Sequence, residues 1–253
     1  DRVRADQLLL ERGLATSRLQ AQRLIAAGVR WFDGEQWRPV TKNGNDLPDT
    51  AQIELLDAAE ARYVSRGGLK LEGALQAAGL SVHGLHCLDV GQSTGGFTDC
   101  LLQQGARHVV GVDVGHGQLH DNLRQDERVT AVESVNAREL TQEHVGDEPF
   151  DLVTGDLSFI SLTLVLPALV PLMKPGAALL MLVKPQFELQ PPQIGKGGIV
   201  KDAAFYPVVE RRIRDACAAL GLRVMRWFDS PIAGGDGNRE FFVYAQKTDE
   251  EGT

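Results

Sequence analysis

Residues 87–99, CLDVGQSTGGFTD, run from an apolar segment through a glycine-rich turn into a segment that suits the start of a helix. Further along, VVGVD (109–113) is a second apolar segment, and it ends in the carboxylate of Asp113. A strand, a glycine turn and a helix, followed by a strand ending in an acid, are typical of α/β proteins that bind a nucleoside. The stretch therefore predicts a parallel sheet with Asp113 facing a ribose at its carboxyl edge.

Strand-like and helix-like segments alternate over the rest of the chain. The predicted strands are residues 86–91, 108–114, 129–135, 150–155, 177–183, 223–229 and 240–246. The helical segments between them are residues 96–104, 118–124, 137–144, 162–172 and 203–220. This alternation predicts an α/β fold with a doubly wound, seven-stranded, Rossmann-like sheet. The loop before the last strand is too short for a crossover helix, so the last two strands should pair antiparallel.

The first 56 residues have a different pattern and predict a small α+β domain. A helix over 3–12 should end at Gly13, and a second helix, capped by Thr16 or Ser17, should end at Gly28. Leu19, Leu24 and Ile25 should share a face of the second helix, and short strands should follow at 29–32, 35–40 and 52–56. We expect a linker at 57–64, the large domain at 65–247 and a tail at 248–253.

Composition and charge narrow the class of protein. Hydrophobic residues make up 43% and charged residues 24%, as in ordinary globular proteins. The cysteines Cys87, Cys100 and Cys217 are too far apart for a disulfide framework, which favours a reducing, cytoplasmic setting. The net charge is -8, but residues 2–42 are locally basic, which is typical of a nucleic-acid contact. Prolines and Lys174 interrupt the apolar stretch 164–183, so we expect buried core there and no membrane span.

Ser93 distinguishes between two classes of nucleoside ligand. The dinucleotide fingerprint needs a glycine at this position, so that the backbone can approach a pyrophosphate. A ligand without phosphates, such as S-adenosylmethionine, has no such requirement. The pattern therefore favours S-adenosylmethionine over NAD, although a glycine turn by itself is shared by both.

Four charged residues stand where catalytic groups would be useful: Lys70, Asp156, Lys184 and Glu240. Asp156 and Lys184 end predicted strands, Glu240 opens one, and Lys70 is expected just before the first strand. Methyl transfer to a ribose hydroxyl requires removal of the hydroxyl proton, and a lysine can remove it when burial and nearby cations favour its neutral form. We expect Lys184 to be this base and Asp156 to align it. Lys70 would add positive charge, and Glu240 would orient Lys70 or the ribose.

Six motifs carry a resemblance to a known family: DVGQSTGGFTD (89–99), VSRGGLKL (64–71), GDLSFISL (155–162), LVKPQFE (182–188), GKGGIVKD (195–202) and SPIAGGDGNREFF (230–242). In order and spacing, over nearly the whole chain, they resemble the TlyA family of hemolysin A-like ribosomal RNA 2'-O-methyltransferases, related to the FtsJ methyltransferases. The resemblance implies an enzyme that uses S-adenosylmethionine and a Lys-Asp-Lys-Glu tetrad at Lys70, Asp156, Lys184 and Glu240.

The resemblance also implies binding residues and a partner. The implied cofactor residues are Gly91, Ser93, Thr94, Gly95, Gly96, Phe97, Thr98, Asp113, Asn136 and Asp156. The first domain resembles the αL RNA-binding domain, whose motif falls on Arg4, Ser17, Arg18, Arg23 and Gly28. With these, we expect Arg66, Lys196 and Lys201 to contact ribosomal RNA or a ribosomal subunit. Lys196 and Lys201 lie in the loop 186–202, which we expect to be a mobile lid, with a disordered solvent loop as the alternative.

Some features depart from the family pattern or leave alternatives open. Gln92 replaces a small residue, usually Ala, and a longer side chain there could crowd the methionine end of the cofactor. His116 replaces a usual Tyr, and Leu157 a usual Val. His83, His86 and Cys87 do not form a four-ligand pattern, so we expect no metal site. The alternatives are a non-catalytic RNA-binding assembly factor, a hemolysin-like membrane-lytic protein and an NAD-dependent oxidoreductase.

Overall fold

The computed structural model describes residues 1–57, 61–232 and 237–249 and divides into two units, Asp1–Leu69 and Lys70–Thr253. Parts of the predicted linker and of the predicted tail therefore lie outside the described residues. The same holds for the middle of the SPIAGGDGNREFF motif.

The first unit is a small α+β module. Its elements are β1 (Arg2–Arg4), α1 (Ala5–Glu11), α2 (Arg18–Ala27), β2 (Val29–Phe32), β3 (Trp37–Pro39), β4 (Asp46–Pro48) and β5 (Gln52–Leu55). Helix α2 begins as predicted, because the Ser17 side chain accepts a hydrogen bond from Gln20 N, and it ends at Gly28. Leu24 and Ile25 are buried, but Leu19 is 60% exposed, so its predicted place on the buried face is wrong. Strands β1 and β4, which pair with each other, were not predicted.

A seven-stranded sheet forms the second unit. Its strands are β6 (His86–Val90), β7 (His108–Val112), β8 (Val129–Val132), β9 (Phe150–Gly155), β10 (Met173–Val183), β11 (Leu222–Asp229) and β12 (Phe241–Lys247). The strand order is β11-β12-β10-β9-β6-β7-β8. Strand β12 pairs antiparallel with both β10 and β11, and the other neighbouring strands pair parallel. This confirms the predicted α/β sheet and the antiparallel pairing of its last two strands.

Helices connect these strands and cover the sheet. They are α3 (Gly67–Ala78), which starts in the first unit, α4 (Gly96–Gln103), α5 (Asp121–Arg124), α6 (Gln142–Val145), α7 (Leu162–Leu169) and α8 (Phe205–Ala219). Every residue of β6 is buried, and Val165, Leu166 and Leu169 of α7 belong to the same core cluster as the central strands. Burying each such side chain stabilises the fold by roughly 1.5–3 kcal/mol, which fixes the strands whose ends carry the site.

Helix α3 corrects the expectation for Lys70. We expected this lysine just before a strand, but it lies in the first turn of a helix that begins at Gly67. The buried residues Leu71, Ala74 and Leu75 have helical spacing. The adjacent glycines Gly67 and Gly68 made this helix hard to recognise in the sequence. The stretch 164–183 folds into α7, a 3₁₀ turn and β10. In the described part of the chain, no helix is long and apolar enough to cross a bilayer.

Candidate active site

The turn between β6 and α4 holds the Asp113 carboxylate from two sides. Ser93 N donates to Asp113 Oδ2 at 2.7 Å, and Gly115 N donates to Asp113 Oδ1 at 2.8 Å. Ser93 adopts a left-handed φ of 52° in this arrangement. Each carboxylate oxygen keeps a second lone pair, so the oriented Asp113 can accept hydrogen bonds from two adjacent hydroxyls.

Gly91 lets the same turn approach the loop after β9. Its φ is 80°, and a Cβ atom here would lie 2.3 Å from the backbone oxygen of Asp156. Gly155 is equally constrained, because its Cβ would lie 2.2 Å from the oxygen of Val90. Glycine at both positions therefore brings Asp156 against the turn between β6 and α4, and any larger residue would push the two loops apart.

These loops surround a cleft of about 1050 Å³, which is large enough for a nucleoside with a substituent. Five of the sequence-predicted cofactor residues line it, namely Gly91, Ser93, Asp113, Asn136 and Asp156. The other five are not among the lining residues, namely Thr94, Gly95, Gly96, Phe97 and Thr98. The Phe97 side chain is buried, with its ring 6.4 Å from that of Phe242. A cofactor contact by these five residues stays a prediction.

A buried polar chain lies beneath the turn. Gln92 Nε2 donates to Thr98 Oγ1 at 2.9 Å, and Thr98 Oγ1 donates to Asp89 Oδ2 at 2.7 Å. Burial raises the pKa of Asp89 to about 7. The Gln92 amide lies against Gly111, where a Cβ would come within 1.9 Å of it. Gln92 therefore points into the protein and does not line the cleft, so its longer side chain does not crowd the cleft.

The four predicted catalytic residues form two ion pairs. Lys184 Nζ lies 2.5 Å from Asp156 Oδ1 and also donates to Ser158 Oγ at 3.1 Å. Lys70 Nζ donates to Glu240 Oε2 at 2.9 Å. The Lys184 side chain is 13% exposed and that of Lys70 is 12% exposed. Both side chains are therefore largely buried, and each amine keeps a carboxylate partner.

Strand register brings these residues to one edge of the sheet. Val183 pairs with Phe241, so Lys184 after β10 and Glu240 before β12 lie side by side. Met181 pairs with Gly155, so Asp156 follows on the neighbouring strand. Adjacent strands lie about 4.8 Å apart, which places the three residues within reach of one substrate group.

Phe159 is a residue of the site that the sequence analysis missed. It is 91% exposed, has a left-handed φ of 66° and lines the cleft, with its ring 5.1 Å from that of Phe187. An aromatic residue that is both exposed and conformationally strained is unusual away from functional sites. Its place in the GDLSFISL motif, three residues after Asp156, was the available signal.

The predicted RNA-binding residues of the first unit have defined local roles. Arg4 forms two hydrogen bonds to the buried carboxylate of Asp6, and the Arg4 contact lowers the pKa of Asp6. Ser17 caps α2, Arg18 donates to Gln7 Oε1 at 3.1 Å, and Arg23 donates to Val64 O at 3.4 Å. Arg66 is exposed. These placements leave RNA contact as a prediction.

Lys196 and Lys201 lie on a folded hairpin. Ile194 and Val200 form an antiparallel bridge, and Asn238 fastens the hairpin by accepting from Val200 N at 2.9 Å and donating to Gly198 O at 2.8 Å. Both lysines are exposed. The loop that we expected to be a lid is thus shaped by 3₁₀ turns and this hairpin, while its motion stays a prediction.

The opposite, amino edge of the sheet carries a separate polar cluster. Asp151, the second residue of β9, accepts from His86 N at 2.9 Å and from Lys174 Nζ at 2.8 Å. His86 Nδ1 and His108 Nδ1 lie 3.2 Å apart, and burial lowers the pKa of both histidines. Within the described ranges, no group of three His, Cys, Asp or Glu side chains is arranged to hold a metal ion.

Comparison with known proteins shows which family has this architecture. The family model for FtsJ-like methyltransferases matches residues 63–247. The 16S/23S rRNA (cytidine-2'-O)-methyltransferase TlyA of Mycobacterium tuberculosis is 46% identical over 247 residues, which cover 96% of this chain and 89% of the relative. Hemolysin A of Brachyspira hyodysenteriae is 37% identical and covers 96% of this chain and 99% of its own.

Solved structures agree with this placement. A proposed hemolysin from Streptococcus thermophilus superposes with a TM-score of 0.76 at 40% identity, covering 98% of this chain and 90% of that chain. An S-adenosylmethionine-dependent methyltransferase from Mesorhizobium loti superposes with a TM-score of 0.52 at 16% identity, covering 70% and 97%. The second likeness, at this low identity, concerns the fold alone.

Proposed function

This chain belongs to the FtsJ-like methyltransferase family, and on that premise we propose that it methylates ribose 2'-hydroxyls of ribosomal RNA with S-adenosylmethionine. The relative from M. tuberculosis, which modifies cytidines, suggests cytidine as the target nucleoside. The observation that carries the proposal is the Lys184–Asp156 pair, which lies at the edge of a cleft that Asp113 also lines.

The residues of the cleft suit S-adenosylmethionine. In our proposal Asp113 accepts hydrogen bonds from the ribose hydroxyls of the cofactor, while Val114 and Val135 offer apolar walls to its adenine. Ser93 stands where a pyrophosphate would require glycine, so the turn suits a ligand without phosphates. When bound, the cofactor supplies an electrophilic methyl group on sulfur.

Lys184 is the proposed general base. Its amine reaches two acceptors, Asp156 and Ser158, which hold it in one direction at the end of β10. In its neutral form this amine takes the proton of the 2'-hydroxyl as the oxygen attacks, and the resulting ammonium is stabilised by Asp156. Lys70, oriented by Glu240, adds a fixed positive charge that attracts the developing alkoxide.

Phe159 is the proposed platform for the target base. A ribose inside a folded RNA is reached only when its nucleotide leaves the stack, and an exposed aromatic ring compensates for the lost stacking by about 1–3 kcal/mol. Phe159 lies three residues after Asp156 and offers such a ring at the cleft. A base stacked on Phe159 would have its ribose near the Lys184–Asp156 pair.

The basic residues of the first unit, with Lys196 and Lys201, are the proposed RNA contacts. Phosphate contacts require Lys and Arg even where the net charge of the whole protein is negative, because affinity depends on the local field. Arg18 and Arg23 lie on the same helix, α2, and the exposed hairpin lysines are part of the second unit. Both basic elements are thus proposed to bind phosphates of a structured RNA.

Transfer of tritium from labelled S-adenosylmethionine tests the function. Ribosomal RNA, isolated 30S and 50S subunits and a DNA oligonucleotide are each incubated with the protein, and 2'-O-methyl sites are mapped by reverse-transcription stops. We expect label on cytidine riboses of ribosomal RNA and none on DNA. RNA binding without label in any substrate would instead identify an assembly factor, and dye release from liposomes would identify a lytic protein.

A further inference from the structure

Glu188 is a buried carboxylate that the proposed reaction does not use. It is only 4% exposed, and burial raises its pKa. Both of its oxygens nevertheless accept hydrogen bonds, because Ser161 Oγ donates to Oε2 and Leu162 N donates to Oε1 at 2.7 Å. Leu162 is the first residue of α7, so the carboxylate also lies at the positive end of that helix.

Glu188 joins the two segments that carry the Lys184–Asp156 pair. It follows Lys184 through a single 3₁₀ turn, Pro185–Phe187, and its partner Ser161 follows Asp156 in the loop after β9. Its own backbone oxygen accepts from Arg212 Nη1, which ties the same point to α8. Glu188 is therefore held from three directions, and it does not line the cofactor cleft.

The space between Lys184 and Glu188 is tightly filled. A cavity of about 10 Å³ lies there, lined by both residues and otherwise by apolar side chains, including Leu182 and Phe187. A cavity of that size has room for about one water molecule at most. A shift of Glu188 is consequently transmitted by packing to the loop that carries Lys184 and is not absorbed by empty space.

We propose that Glu188 is a positioning residue that sets the separation of Lys184 and Asp156 by fastening the segment after β10 to the start of α7. The kinetic consequence rests on the proposed function, since it is the lysine–aspartate geometry that the reaction uses. A helix cap alone would affect stability, whereas a positioning residue also affects turnover and its pH dependence. A displacement of about 1 Å in such a group can lower the rate about a hundredfold.

The experiment compares Glu188→Ala with Glu188→Gln in the full chain. The glutamine keeps the shape and an oxygen for Leu162 N, so its kcat should stay within about threefold of wild type. The alanine should lower kcat by about ten- to a hundredfold and shift the acidic limb of the pH–rate profile, while the KM for the cofactor changes less than about threefold. If Glu188→Ala does not fold, Ser161→Ala removes one of the two fastenings and should give a smaller loss of kcat with the same shift.

Asp151→Ala is the matched control. Asp151 also accepts two hydrogen bonds and also links β9 to β10, but at the opposite edge of the sheet. The Asp151→Ala variant should have a lower Tm and an unchanged pH–rate profile. The proposal is overturned if Glu188→Ala behaves like Asp151→Ala, with lower Tm but wild-type kcat and profile.

Crystal structures separate this proposal from the proposed function. The distance from Lys184 Nζ to Asp156 Oδ1 should exceed 4 Å in Glu188→Ala and remain near the wild-type 2.5 Å in Glu188→Gln. If the wild-type protein transfers no methyl group to RNA, the proposed function fails, and this distance alone decides the role of Glu188. An unchanged distance in Glu188→Ala would then overturn the proposed positioning role of Glu188.

Discussion

Lys70 Nζ donates to Glu240 Oε2 at 2.9 Å, although 170 residues separate the two in sequence. Both side chains are largely buried, at 12% and 4% exposure. The contact joins the first turn of α3 to the residue that precedes β12. Since Glu240 lies beside Lys184 at the sheet edge, this ion pair links the stability of the second unit to the proposed chemistry.

Glu240→Gln should reduce both stability and turnover. Removing one partner of a buried ion pair leaves the other charge uncompensated, which costs about 3–5 kcal/mol. The double variant Lys70→Met/Glu240→Gln removes that charge and should regain most of the lost stability without regaining turnover. Urea denaturation and tritium transfer measure the two quantities. If turnover returns together with stability, the pair has only a structural role.

Lys184→Ala should abolish methyl transfer, with a loss of at least about a thousandfold, because it removes the proposed base. Affinity for S-adenosylhomocysteine should stay within a few fold, since Lys184 does not line the cleft. Lys174→Ala is the matched control, because Lys174 forms an ion pair with Asp151 at the other end of the same strand. Calorimetry and single-turnover transfer provide the measurements, and substantial turnover by Lys184→Ala would contradict the assignment.

Asp113→Asn should weaken binding of S-adenosylhomocysteine by about tenfold, a loss of about 1.4 kcal/mol. The asparagine has one oxygen, so it cannot accept from both Ser93 N and Gly115 N and still receive two hydroxyls. Glu133→Gln is the control, because Glu133 also accepts from a loop amide, that of Gly117, but does not line the cleft. Equal losses in the two variants would argue against a ribose contact.

Asp89 should make the protein less stable as the pH rises. Its folded-state pKa of about 7 exceeds its ordinary 3.8, so the folded protein holds the proton more tightly than the unfolded chain. The stabilisation that protonated Asp89 contributes is fully present below its ordinary pKa of 3.8 and is lost as the pH rises through the folded-state pKa of about 7. The free energy of unfolding falls by at most about 1.4 kcal/mol per pH unit in this window.

Thermal unfolding of Asp89→Asn at pH 5, 6, 7 and 8 tests this sign. The Tm of the variant should rise relative to wild type over that range, because the titrating group is gone. Glu143→Gln, at an exposed position on α6, should run parallel to wild type. A constant difference between Asp89→Asn and wild type at every pH would show that Asp89 does not titrate between pH 5 and 8.

Arg18→Gln/Arg23→Gln should weaken binding to ribosomal RNA and reduce its salt dependence. Each lost phosphate contact lowers the slope of log K against log salt by about 0.7–0.9. Arg211→Gln/Arg214→Gln on α8 removes the same charge from exposed positions that pair locally with Asp215 and Glu210. Filter binding between 50 and 300 mM salt compares the two, and an equal change in both slopes would indicate a general effect of net charge.

Much of the fold was predictable because the signals are local. The strands Val29–Phe32 and Phe150–Gly155 match the predictions residue for residue, and α2 begins at the predicted serine cap. The antiparallel end of the sheet followed from the length of one loop. Helix α3 was missed because Gly67 and Gly68 have low helix propensity, and only packing of its apolar face compensates for them.

The sequence by itself determined the alternation of strands and helices, the glycine-rich turn and the identity of four charged candidates, because turn chemistry and hydrophobic period act over about ten residues. Only the tertiary structure decided that Lys184 pairs with Asp156 and Lys70 with Glu240, that Gln92 points inward, and that Glu188 joins two loops of the site. These contacts link residues far apart in the chain, and which groups meet depends on strand register and packing.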